Sequence, residues 1–265
     1  MAMEMEETMA ALTRSQCPKI GHYVGEFATP GIGHMLASAG CEFAFFDMEH
    51  SGFGFETLKQ VLRYFEAAGI PAIVRAPSKD YDGIARLCDA GAEGIMAPMI
   101  GNSDEAARIV HHMKYPPAGG RGVALGIAHD NFQHGGVPVA ERLEDANKRT
   151  TFFALIETRE GAENADEIAA TPGVDCLWVG HFDLSVSLGV PGHFDHPDYL
   201  EALNRIVAAA KRHGLSLGRL VASPQEGLHD IEQGFDFICY GTDTAIYQGA
   251  LIHGISALRD AAQNG

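Results

Sequence analysis

Residues 152–189 read FFALIETREGAENADEIAATPGVDCLWVGHFDLSVSLG, and this stretch decides the fold. Two short apolar runs, 152–156 and 176–179, have the length and composition of buried strands. Between them Ala165, Ile168 and Ala169 fall at i, i+3 and i+4, the spacing of one helix face. Strand, helix, strand in that order is a βαβ unit, which demands parallel neighbouring strands. Glu157 closes the first run, and Asp183 follows the second after Gly180-His181-Phe182, read as a turn. Ligands of parallel sheets gather at the carboxyl ends of the strands, so both acids are expected there. Like charges brought together call for a proton or a cation. Hard divalent ions such as magnesium take one or two carboxylates, with waters and substrate oxygens completing the shell. The expectation is a divalent metal on Glu157 and Asp183; the plainer alternative is a pair of helix caps after strands.

Working outward, further strands are expected at 20–27, 42–47, 71–76, 94–97, 216–220 and 235–240. Helical patterns fill the intervals: 35–39, 55–68, 81–88, 103–113 with Ser103 as N-cap, 138–148, 199–213, 224–233 and 244–262. Eight strands alternating with helices, with no repeat or linker between them, favour a single (β/α)8 barrel over an open doubly wound sheet. The expected organisation is an acidic arm over 1–18, holding one loose helix, and a barrel domain over 19–265. One long connection interrupts the rhythm, 115–137, YPPAGGRGVALGIAHDNFQHGGV. Loops of that length are uncommon in compact domains and tend to be functional, so it is read as a wall of the active site.

Formal charge is −16, from 35 acids against 19 bases, which argues against nucleic acid and anionic membrane as partners and suits a bound cation. The five cysteines are scattered and lack CxxC spacing, so reduced thiols are expected rather than disulfides or thiolate zinc. The opening MAMEMEETMAALTR has no apolar signal core and no run approaches the length of a membrane span, so the expected location is the cytoplasm.

The ends of the second, third, fifth and sixth strands offer Asp47, Glu49, His50, Arg75, Glu157 and Asp183. Arg75 follows Ile73 by two and points the same way. A guanidinium there can face an oxyanion with its fork of donors, or pair with Asp47 or Glu49. His50 can serve as a base or be an ordinary loop histidine among 13. GxSxG, P-loop, HExxH and dinucleotide-binding strings are absent.

With these residues in view, the chain resembles the HpcH/HpaI family of class II, metal-dependent pyruvate aldolases. The resemblance rests on FDMEHSGF, IVRAP, LCDAGAEGIMAPMI, YPPAGGRGV, IETREGAENADEIAATPGVD and GHFDLSVSLG followed by PG, in order. It implies a phosphoenolpyruvate/pyruvate-type TIM barrel with a swapped C-terminal helix, assembled as a hexamer of dimers. It implies one divalent ion (Mg, Mn or Co) on Glu157 and Asp183, chelated by the carboxylate and keto oxygens of pyruvate. Arg75 would stabilise the enolate. His50, polarised by an aspartate whose position Asp89 occupies, would manage protons. Backbone amides around Gly180, Phe182 and Asp183 would hold the carboxylate, and Val123, Leu220 and His129 match the aldehyde side. The implied reaction is reversible cleavage of a 4-hydroxy-2-oxo acid to pyruvate and an aldehyde. Oxaloacetate decarboxylation and acyl-CoA lysis remain alternatives on the same scaffold, and a silent binding protein is the non-enzymatic one. Three departures from the family pattern bear on substrate choice: Leu155 replaces a glutamine, His181-Phe182 replaces Pro-Ala, and His129 replaces an arginine. Asp89 lies between a helix and the fourth strand, which puts it at the opposite end of its own barrel from His50. A dyad between them is therefore expected only across subunits.

Overall fold

In the computed structural model, residues 8–15 and 17–263 are described. Eight parallel strands close into a barrel in sequence order: β1 (Lys19–Val24), β2 (Phe43–Asp47), β3 (Ala72–Arg75), β4 (Gly94–Ala97), β5 (Thr151–Ile156), β6 (Cys176–Val179), β7 (Ser216–Val221) and β8 (Phe237–Thr242). The period-two alternation of side chains divides the apolar residues into two sets. Phe43, Phe45, Ile73, Met96, Phe153, Leu155, Trp178 and Phe237 fill the barrel interior. Ala44, Phe46, Val74, Ile95, Ala154 and Leu177 face outward and pack under the helices. Continuing the inward set upward by two brings Asp47 after Phe45, Arg75 after Ile73 and Glu157 after Leu155 to the carboxyl rim.

The outer layer comprises α2 (Ile32–Ser38), α3 (Phe55–Ala67), α4 (Tyr81–Asp89), α5 (Ser103–Met113), α6 (Val139–Arg149), α7 (Arg159–Glu163), α8 (Ala165–Ala169), α9 (His181–Ser187), α10 (Pro197–His213) and α11 (Pro224–Gln233). The N-cap of α5 is Asn102, not Ser103: its side chain accepts from the amide of Glu105, the geometry of a cap two to three residues ahead of its donor. The segment read as a turn at Gly180-His181-Phe182 is the start of α9. Strand β8 begins at Phe237, two residues later than the sequence suggests, and just before it the side chain of Asp236 ties Lys19, Ser216 and the amide of Leu217 together. Strand β1 likewise ends at Val24 rather than 27, where the chain turns so that the amides of Gly25, Glu26 and Phe27 all reach Asp243.

Of the arm expected over 1–18, residues 1–7 and 16 lie outside the described residues. Within it, α1 (Met9–Arg14) is a packed helix rather than a loose one: Met9 and Leu12 join the interior cluster and cover the amino end of the barrel. The closing helix α12 (Asp243–Gln263) behaves oppositely. Only Asp243 is buried, while Ile246, Tyr247, Leu251, Ile252, Ile255 and Leu258 are exposed. Among the described residues no helix is long and apolar enough to cross a membrane.

Candidate active site

Asp47 and Arg75 are partners in the β2–β3 register, so adjacent strands set them side by side at the rim. Arg75 Nε donates to Asp47 Oδ1 at 2.7 Å and Nη2 to Oδ2 at 2.8 Å, a bidentate fork. Its third nitrogen, Nη1, lies 3.1 Å from Glu49 Oε2. The ion pairs that the sequence left open are therefore made. A guanidinium carries five N–H groups, so donors remain for a ligand. Asp47 is fully buried. Burial opposes its charge, but the hydrogen bonds and charge of Arg75 outweigh that and hold its carboxyl below the ordinary value. Asp47 also accepts from the amides of Glu49 and His50, at 3.0 and 3.2 Å, which shapes the loop after β2.

Glu157 is 3% exposed and accepts from the amide of Met99 at 2.8 Å. Met99 holds a left-handed backbone, φ 53°, a conformation uncommon outside glycine, and this turns its N–H toward the carboxylate. Burial pushes the Glu157 carboxyl up to about 7; the neighbouring charges of Glu49 and Asp183 push the same way, against the Met99 amide and Arg75. Glu49 is raised too, again chiefly by burial, and its Oε2 is buried without a hydrogen-bond partner. Gly180 makes room for this arrangement: a Cβ there would lie 2.5 Å from Glu157 Oε2 and 3.2 Å from Leu155 Cδ1.

The donor set tests whether a divalent cation belongs here. Four carboxylates, Asp47, Glu49, Glu157 and Asp183, interact electrostatically around one arginine, leaving an excess of negative charge. Two of them carry raised carboxyls, the state a cation would relieve. Among the described residues no group of three or more His, Cys, Asp or Glu closes into a preformed metal cage. An open site with few protein ligands is what a hard cation shared with a chelating substrate requires. The residues fit such an ion.

The remaining expected residues divide by end. Leu155 and Leu220 adjoin the interior cluster below the rim, and Phe182 and Asp183 stand exposed in the first turn of α9. His50 is exposed, with Nε2 3.8 Å from Glu49 Oε2. Asp89, Val123 and His129 are elsewhere. Asp89, the last residue of α4, pairs with Arg121 at 2.5 Å on the floor side. His129 is buried, with Nε2 2.7 Å from the carbonyl of Ala124 and 3.2 Å from the hydroxyl of Tyr115, and its ordinary basicity is lowered by burial. The long connection 115–137 lies between α5 and α6 and meets α4 at both ends, with Arg121 on Asp89 at its last residue and the amide of Gly122 donating to the hydroxyl of Tyr81 at its first. A cavity of about 210 Å³ opens there too, lined by Arg63, Arg121, His129 and Arg149, and holds none of the rim carboxylates. Sequence reasoning missed Met99 and Tyr23. Tyr23, inward-facing at the end of β1, donates to Asp47 Oδ2 at 2.6 Å.

A closed parallel barrel with clustered acids and an arginine at its carboxyl rim is the architecture of a barrel enzyme. The chain belongs to the HpcH/HpaI aldolase/citrate lyase family, whose model matches residues 25–250. It is similar to a 5-keto-4-deoxy-D-glucarate aldolase from Salmonella paratyphi C, 33% identical over 223 residues, 84% of this chain and 86% of the relative. It is also similar to a hydroxypyruvate/pyruvate aldolase from Paraburkholderia phytofirmans, 37% identical over 210 residues, 78% of this chain and 81% of the relative. The crystal structure of an HpcH/HpaI aldolase from Desulfitobacterium hafniense superposes with a TM-score of 0.88 at 28% identity, covering 97% of each chain. With these relatives the chain is a carbon–carbon lyase.

Proposed function

We propose that the protein cleaves a 4-hydroxy-2-oxo acid reversibly to pyruvate, or a related 2-oxo acid, and an aldehyde. The observation that carries this reading is the juxtaposition of Glu157, Glu49 and Asp183 with the Asp47–Arg75 fork at one rim. Glu157 and Asp183 would hold a divalent ion (Mg, Mn or Co), which supplies Lewis acidity toward the 2-oxo group when bound. The chain's own residues do the rest. The C4 hydroxyl loses its proton, the C3–C4 bond breaks, and its electron pair passes into an enolate whose negative charge sits on the C2 oxygen. Arg75, already fixed by Asp47, offers its spare N–H groups to that oxygen. The amides of Phe182 and Asp183 at the start of α9 face the substrate carboxylate. His50, exposed at the rim, exchanges protons with the C4 oxygen and C3.

Asp89 lies too far along its own barrel to polarise His50, so its role belongs to a neighbouring subunit, and the same holds for Val123 and His129 on the aldehyde side. The exposed apolar face of α12, with Tyr247, Leu251, Ile255 and Leu258 at helical spacing, supports a swapped-helix assembly of dimers into a hexamer. The test is a retro-aldol assay under chelation with readdition of magnesium, manganese or cobalt. Activity is expected to vanish and return, and Glu157→Gln to bind metal much more weakly by calorimetry. A Glu157→Gln protein that titrates like wild type refutes the ligand assignment. Pyruvate release from oxaloacetate without an aldehyde, in the absence of aldol cleavage, would favour the decarboxylase alternative.

A further inference from the structure

Tyr23 occupies a slot shaped for it. Its ring meets Phe45 edge-on, with centroids 5.4 Å apart and planes at 71°. It lies across Gly25, where a Cβ would come within 2.4 Å of the ring. Held this way, the phenol donates to Asp47 Oδ2 at 2.6 Å. That oxygen is the one that also accepts from Arg75 Nη2, at 2.8 Å, and from the amide of His50. The other oxygen takes Arg75 Nε and the amide of Glu49. Five donors thus converge on a carboxylate with about four lone-pair sites, and they compete. The two amides come from the loop that Asp47 itself starts, and two donors belong to Arg75. Tyr23 is the remaining one, brought from a different strand. Charge that Oδ2 gives to the phenol is withheld from Nη2, so the guanidinium keeps more of its own charge for a ligand on its open side.

Building on the enolate role of Arg75, we propose that Tyr23 is a positioning residue: through Asp47 Oδ2 it sets how firmly the aspartate holds Arg75 and how much charge Arg75 presents to the enolate oxygen. A phenylalanine fills the same slot and packs against Phe45 and Gly25 but leaves Oδ2 to Arg75 Nη2 and the amide of His50. The role therefore belongs to the hydroxyl and not to the ring.

The test uses the metal-loaded enzyme. Tyr23→Phe is expected to lower both retro-aldol kcat and pyruvate methyl-proton exchange by about tenfold, the lower part of the range for residues acting through another. KM is expected within twofold of wild type, and metal affinity and melting temperature unchanged. Fluorinated tyrosines placed at position 23 make the phenol a stronger donor at nearly constant shape. The exchange rate is expected to rise along that series, a response that a packing role would not give. Wild-type exchange in Tyr23→Phe, or a tenfold loss with no trend across the fluorinated series, overturns the proposal. A wild-type protein without exchange under any of the three metals overturns the aldolase reading and this role with it. Active wild type with a flat series overturns the role alone.

Discussion

Gly180→Ala is the smallest change that reaches the centre of the site. The added Cβ would sit 2.5 Å from Glu157 Oε2 and 2.7 Å from Glu157 Cβ. An ordinary contact begins near 3.4 Å, so the carboxylate must retreat by about 0.9 Å. The carboxylate could swing away, but the Cβ is fixed by β5, whose Ile156 is paired in register with Val179 of β6. Relief must therefore come from separating the ends of β5 and β6 or from rotating Glu157 away from the amide of Met99. Overpacking of this kind costs about 1–3 kcal/mol, which lowers Tm by several degrees in a domain of this size. A displacement of about 1 Å at a reacting centre costs on the order of a hundredfold in rate. The expected signature is a modest loss of stability beside a roughly hundredfold loss of retro-aldol kcat/KM and weakened metal binding by calorimetry. Gly180→Ala with activity within threefold of wild type and unchanged metal affinity would refute the placement of Glu157 at the reacting centre.

Arg75→Ala should lose pyruvate methyl-proton exchange by a hundredfold or more, the usual cost of removing an oxyanion donor, with Arg75→Lys retaining a fraction; unchanged exchange by NMR would sink the enolate role. In the metal-free protein Glu157 has a carboxyl raised to about 7 from an ordinary 4.5, so its contribution to stability is full below the ordinary value and is lost as pH rises through about 7. Urea midpoints in chelator should accordingly fall between pH 5 and 8 more steeply for wild type than for Glu157→Gln, and equal slopes would contradict this. Mixing inactive His50→Ala and Asp89→Asn subunits should recover activity if Asp89 serves a neighbouring site; no recovery in demonstrably mixed oligomers counts against it. Substrates without a distal charge should be preferred, because at the rim Arg75 is tied to Asp47 and Glu49 and Lys79 to Glu105. A higher kcat/KM for 4-hydroxy-2-oxoheptanedioate than for 4-hydroxy-2-oxopentanoate would overturn that expectation.

The strand-end acids were legible because period two is a local property. Phe45 points inward, hence Asp47 does; Leu155 points inward, hence Glu157 does. The closed barrel was legible for the same reason, from strand count and alternation. Contacts between distant segments were not. Nothing in the string PMI shows that Met99 adopts φ 53° to offer its amide to a residue 58 positions later. Nothing near Tyr23 announces Asp47. The position of Asp89 could be read, since a residue between helix and strand belongs on the floor. The connection 115–137 offered no such rule, because it lies between two helices, α5 and α6, and its contacts with α4 join residues more than 30 positions apart, Asp89 with Arg121 and Tyr81 with Gly122.

The first helix of the chain has partners made very late. The carbonyl of Thr13 receives its hydrogen bond from Ser216, 203 positions on, and just beyond the helix Lys19 of β1 pairs with Asp236 across 217. Met9 rests among residues that include Phe237. At ribosomal speed those partners emerge roughly 10–40 s after the helix itself. This helix thus leaves the ribosome well before part of its packing exists, and Met9 and Leu12 wait for Trp178, Phe237 and Cys239 to complete the cluster they join. Glu4, Glu6 and Glu7, just upstream in the sequence, lend this waiting apolar stretch the charge that keeps nascent chains apart.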